Sequence, residues 1–140
     1  MELSKANKEL LINEIQVIRE KMQQGKDVRE KAFFYSAVYG VLERIYNIEY
    51  NPQLQFMHVV TNVSHNQIVM RMNQISSGDT AVPFPDNFFE DLDKLLGKME
   101  DKIARNEDTY TILEKISNLA YLLVGNGYYL SQKGVKVFSP

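Results

Sequence analysis

Apolar residues recur along this chain mostly at spacings of three and four, the period of an amphipathic helix. Leu11, Ile15, Ile18 and Met22 make the first such stripe, set among Glu, Lys and Gln residues, with Ser4 placed to cap its start. Gly25 follows where a terminating residue with positive φ is expected. Asp27 and Glu30 then read as the capping box of a second helix over 28–46. So short a link predicts two antiparallel neighbours, a helical hairpin.

The second helix is apolar on more than one side. Ala32, Phe33, Phe34, Tyr35, Val38, Tyr39, Val41, Leu42 and Ile45 leave it little polar face, which predicts a central position or contact with another subunit. Ser36, Ala37 and Gly40 form a patch of small residues near its middle, where the expectation is a close helix crossing.

Asn51-Pro52 is the clearest punctuation, because asparagine caps well and proline tolerates the first helical position. A third helix is predicted over 52–76, with Gly78 as its stop. A β-hairpin competes for this stretch. Val59, Val60, Thr61 and Val63 are β-branched, and Ser64-His65-Asn66-Gln67 could join strands over 55–63 and 68–75. Alternation is clean at Ile68, Met70 and Met72 but breaks at Val59-Val60, and the signals at both ends favour the helix.

After a loop over 76–85, Phe88, Phe89, Leu92, Leu95, Leu96, Met99 and Ile103 form the strongest stripe in the chain. Its opposite face carries Glu90-Asp91-Asp93 and Glu100-Asp101 interleaved with Lys94, Lys98 and Lys102, which reads as a solvated surface. A fifth helix starts near Asp108-Thr109 and carries Ile112, Leu113, Ile116, Leu119, Ala120 and Leu123 towards Gly125-Asn126-Gly127, which ends or kinks it. A final helical turn over 128–133 and a short extended tail over 135–138 complete the reading. The fold expected is an all-α up-and-down bundle of four to six helices forming one domain over 1–140.

Composition narrows the chemistry. With no cysteine among its 140 residues, the chain has no thiolate nucleophile, Cys-ligated metal or redox switch. A formal net charge of −2 argues against general nucleic-acid binding. No apolar run reaches the length that spans a bilayer, and Met1-Glu2-Leu3-Ser4-Lys5 lacks the pattern of a secretory signal, so a cytoplasmic location is expected. No cofactor motif is present. Gly125-Asn126-Gly127 lacks both the Lys-Ser/Thr of a P-loop and the third glycine of a dinucleotide fingerprint.

His58 and His65 are the chain's two histidines. Seven residues apart on a helix, they lie on nearly one face but roughly 10 Å apart along the axis, too far to share a metal ion. The same helix carries Gln55, Asn62, Asn66 and Asn73 along one line, with the histidines about sixty degrees away. Such a stripe suits a partly exposed surface, a buried network fixing helix register, or a ligand pocket. The pocket would be lined by His58, Asn62, His65 and Arg71, with Arg71 as the cation for a carboxylate or phosphate.

Tyrosine is frequent, with eight residues and no tryptophan, and its mixed character suits half-buried positions and subunit contacts. Tyr35, Tyr39 and Tyr46 on the second helix are the interface candidates. The expectation is therefore a non-enzymatic interaction or scaffolding protein acting as a homo-oligomer, with a protein partner possible as well. The alternative is a ligand-binding or catalytic bundle built on the polar stripe of the third helix.

Overall fold

The computed structural model describes residues 2–78 and 84–124, which form five helices: α1 (Lys5–Gln24), α2 (Val28–Ile48), α3 (Pro52–Ser77), α4 (Phe88–Ala104) and α5 (Tyr110–Tyr121). No strand occurs among the described residues. The expected events at 125–127, 128–133 and 135–138 lie outside them.

The competing hairpin at 55–75 is thereby overturned. Asn51 Oδ1 accepts the N–H groups of Gln53 and Leu54, Pro52 opens the helix, and Gly78 closes it at φ 79°. Leu54, Met57, Thr61, Ser64 and Ile68 are all buried at helical spacing, so burial follows a period that no strand could reproduce. The two buried hydroxyls are satisfied within the turn: Thr61 Oγ1 donates to the Met57 carbonyl at 2.8 Å and Ser64 Oγ to that of Thr61 at 3.0 Å.

The α1–α2 junction is tight for a different reason from the one expected. Gly25 has φ −59°, not a positive value. A Cβ there would lie 3.0 Å from Lys31 Cγ and 3.2 Å from both the Lys31 nitrogen and the Met22 carbonyl oxygen. Close approach is what this position demands. It lets Lys31 Nζ reach back to donate to the carbonyls of Met22 and Gln23, capping the end of α1. Asp27 Oδ1 accepts from the Glu30 N–H at 2.9 Å as a cap should, while Glu30 Oε2 accepts from the Lys26 N–H rather than from that of Asp27.

Among the described helices the main packing contacts run in the order α1, α2, α3, α5, α4 and back to α1. Glu49, at the end of α2, accepts from Ser4 N–H and Asn7 Nδ2 at the start of α1, so these two helices run antiparallel. Arg19–Asp93 near one end and Lys8–Asn106 near the other make α1 and α4 antiparallel too. Gln53 meets Thr109, and Arg71 meets Leu123, so α3 and α5 run parallel. Leu11, Ile15, Tyr35, Leu42, Leu54, Met57, Leu96, Met99 and Ile116 are among the side chains that fill the space enclosed by the ring. Phe84 leads into α4 and packs on Phe88 and Phe89 at 5.8 and 6.0 Å between ring centroids.

Two members of the supposedly solvated acidic face turn inwards. Asp93 and Glu100 are buried and grip Arg19 of α1: Arg19 Nε lies 2.9 Å from Asp93 Oδ1, and Arg19 Nη1 lies 3.3 Å from Glu100 Oε1. Gln23 Nε2 adds a hydrogen bond to Asp93 at 2.7 Å. Gly97 makes the room, since a Cβ there would sit 2.9 Å from the guanidinium nitrogens. The grip raises the Arg19 pKa chiefly through the hydrogen bond with Asp93, and burial pushes the Glu100 carboxyl up against the opposing pull of Arg19.

Candidate functional site: the faces of helix α3

Helix α3 holds most of the predicted site residues, and its neighbours sort them onto different flanks. His58 and His65 face α2. The Tyr39 ring lies between them, 6.1 Å from His58 and 5.5 Å from His65, and Tyr35 is 6.4 Å from His65. His58 Nε2 is 3.9 Å from Glu43 Oε2, a long contact that is ionic only when the ring is protonated. Burial pushes the His65 imidazole below its ordinary value, with the Ala32 carbonyl acting in the other direction. Asn62 is half-buried on the same flank.

Arg71 is elsewhere. Six residues beyond His65, it points roughly 120° further round the helix. It is buried against α5, where Nη2 donates to the Leu123 carbonyl at 3.0 Å. The predicted pocket is therefore not assembled: His58, Asn62 and His65 share a flank, and the cation meant to clamp an anion is engaged with the end of α5. No group of three His, Asp or Glu side chains suited to a metal ion occurs among the described residues.

The aromatic surface predicted on α2 is also divided. Tyr35 is fully buried, its hydroxyl 2.7 Å from Ser64 Oγ, and desolvation raises its pKa so that the phenol stays neutral. Tyr35 therefore belongs to the interior of the protomer and not to a surface. Tyr39 is half-buried against the histidines, and half-buried Tyr46 meets the exposed Tyr50 at 5.8 Å. Among the described residues the small-residue patch meets no crossing helix: a Cβ at Gly40 would have none of them within 4 Å, and Ala37 is exposed beside Phe33.

Sequence reasoning missed the outward face of α3. Phe56 (44% exposed), Val59 (47%), Val63 (48%) and Met70 (49%) project into solvent. With Asn66 and Asn73 they form a row at spacings of three and four, repeating every seven residues: Phe56, Val59, Val63, Asn66, Met70, Asn73. Arg71 is the sole Asp, Glu, Lys or Arg between Pro52 and Ser77, and it is buried, so the outward face carries none of them. The absence of charge was the available signal. It went unread because the same helix has a second apolar stripe facing the core, and one stripe suffices to explain a helix.

Beside this face, Phe56 and Tyr110 pack at 5.6 Å over a shallow groove of about 370 Å³ between α3 and α5, walled also by Leu113, Glu114 and Ser117. A larger depression of about 400 Å³ lies where α1, α2 and α4 meet, bordered by Met22, Lys31, Phe89 and Asp93. There Asp93 is committed to Arg19 and Gln23, and Lys31 to the carbonyls of α1. No protein-family model, curated protein or solved structure matches this chain. None of the described helices is long and apolar enough to cross a membrane.

Proposed function

We propose that this protein is a non-enzymatic interaction or scaffolding protein that acts as a homo-oligomer. The observation that carries this reading is the outward face of α3, where four large apolar side chains stand in a row with no formal charge among them. Solvated helix surfaces are normally studded with Lys and Glu, whereas depletion of charge together with Phe and Met is the compositional mark of a protein interface. Burying such side chains is favourable by roughly 25 cal/mol for each Å² of apolar surface removed from water. The site chemistry supports the same reading, because neither the histidine flank nor the larger depression gathers a nucleophile, a base and an electrophile on one spot.

Sedimentation equilibrium of the whole chain tests it. At tens of micromolar the expected mass exceeds that of one protomer and rises with concentration. A protomer-sized particle throughout that range overturns the proposal.

A further inference from the structure

We infer that the outward face of α3 takes a second copy of this chain through a parallel, two-fold α3–α3 seam in which Asn66 of one copy meets Asn66 of the other. The inference rests on the self-association reading above and adds the surface, the direction and the register.

Three observations lead to it. The first is spacing. Phe56, Val59, Val63, Asn66, Met70 and Asn73 occupy the two apolar positions of a seven-residue repeat, the pattern by which one helix seats its side chains between those of another. The second is what borders the seam. Partner choice between paired helices is encoded by charges on the flanking positions. Here those positions are Gln55, Asn62 and Val69 on one side and Val60, Gln67 and Gln74 on the other. No charge on those α3 positions selects a different protein, and an identical copy meets no like charge on them to repel it. A neutral surface is its own complement, which is what an isologous two-fold contact requires.

The third observation is the placement of the amides. In a parallel pair every layer meets its own kind, so Asn66 faces Asn66 and Asn73 faces Asn73, and each amide can both donate and accept across the axis. In the antiparallel register that aligns the same row, Asn66 faces Val63 and Asn73 faces Phe56. Buried amides need partners, and the parallel arrangement supplies them. Polar layers of this kind specify register at a cost in affinity.

The chain has no cysteine, so single thiols can be introduced without background. Val59→Cys and Met70→Cys are each expected to give a disulfide-linked dimer with themselves on mild oxidation. Val63→Glu sets like charges face to face and is expected to weaken the dimer by roughly a hundredfold or more, while circular dichroism shows unchanged helix. Asn66→Leu is expected to tighten it about tenfold. Wild-type protein that stays a monomer overturns both this inference and the self-association reading. An oligomer that survives Val63→Glu intact overturns the seam alone. If Val63→Glu dissociates the dimer but Val59 and Met70 thiols link only to each other in a mixture, the parallel direction is overturned. Unchanged or weaker association of Asn66→Leu overturns the amide layer.

Discussion

Helices α3 and α4 lie on opposite sides of α5, and they treat water in opposite ways. Over 17 residues α4 presents Glu90, Asp91, Lys94, Lys98, Asp101 and Lys102 outside one deep apolar stripe. Over 26 residues α3 presents no such charge and has apolar side chains both inside and out. A helix like α4 is held by its protomer alone, since all its large apolar side chains are buried except Phe89, which is half-covered. One like α3 leaves a second surface whose burial the protomer does not provide. The lesson is that two helices of similar inward packing differ in what they ask of a partner, and the difference lies on the outside.

If that contrast holds, truncation should separate the two helices by energy. Leu96→Ala, at a fully buried position of α4, is expected to cost about 2 to 5 kcal/mol of unfolding free energy in urea denaturation. Val63→Ala on the outward row of α3 should change the stability of the isolated protomer by no more than about 0.5 kcal/mol. Comparable losses at both positions would erase the comparison.

A smaller effect is expected where α4 is tied to α1. Arg19→Ala leaves the buried Asp93 and Glu100 carboxylates without their cation, and should lower stability by about 1 to 3 kcal/mol, less than for a fully buried pair because Arg19 keeps some exposure to solvent. A thermal melt that does not move would mean that Arg19 is not what holds these groups, with Gln23 sufficing for Asp93.

The smallest effect belongs to the inner flank of α3. His65 has its folded pKa lowered by burial, so the unfolded chain binds the proton more readily. Its contribution is therefore present above the ordinary value of 6.5 and is lost as pH falls from there towards the lowered folded value. Denaturation midpoints measured across this window should fall on acidification, and His65→Gln should flatten the fall. An identical profile in the variant would place the dependence elsewhere.

Much of the fold was legible because its boundaries are chemical. Asn51-Pro52, Gly78 and the Asp27–Glu30 pair each act through their own backbone bonds, which a local reading can see. What resisted was which side of a helix faces which neighbour. Tyr35 and Tyr39 are one turn apart and chemically alike, yet only the first finds Ser64 opposite it and disappears inside. Asp93 and Glu100 look like solvated acids until α1 brings Arg19 to them, and Gly97, an unfavourable residue in mid-helix, is explained only by that guanidinium. The candidate site suffered in the same way. Its histidines were correctly put on one face, but the place of Arg71 depends on α5, 52 residues further along the chain.

The ring of five helices that the described residues form carries one further consequence, which is a matter of parity. Helices that alternate in direction can close a ring only if their number is even; with five, two neighbours must point the same way, and here they are α3 and α5. Their peptide dipoles then lie side by side with the negative ends together, an arrangement that antiparallel neighbours avoid. Arg71 delivers its guanidinium to the Leu123 carbonyl at that shared end. The sole Lys or Arg of α3 is thus spent inside the bundle on balancing an odd-numbered ring, and the outward face of the helix is left with no formal charge to show.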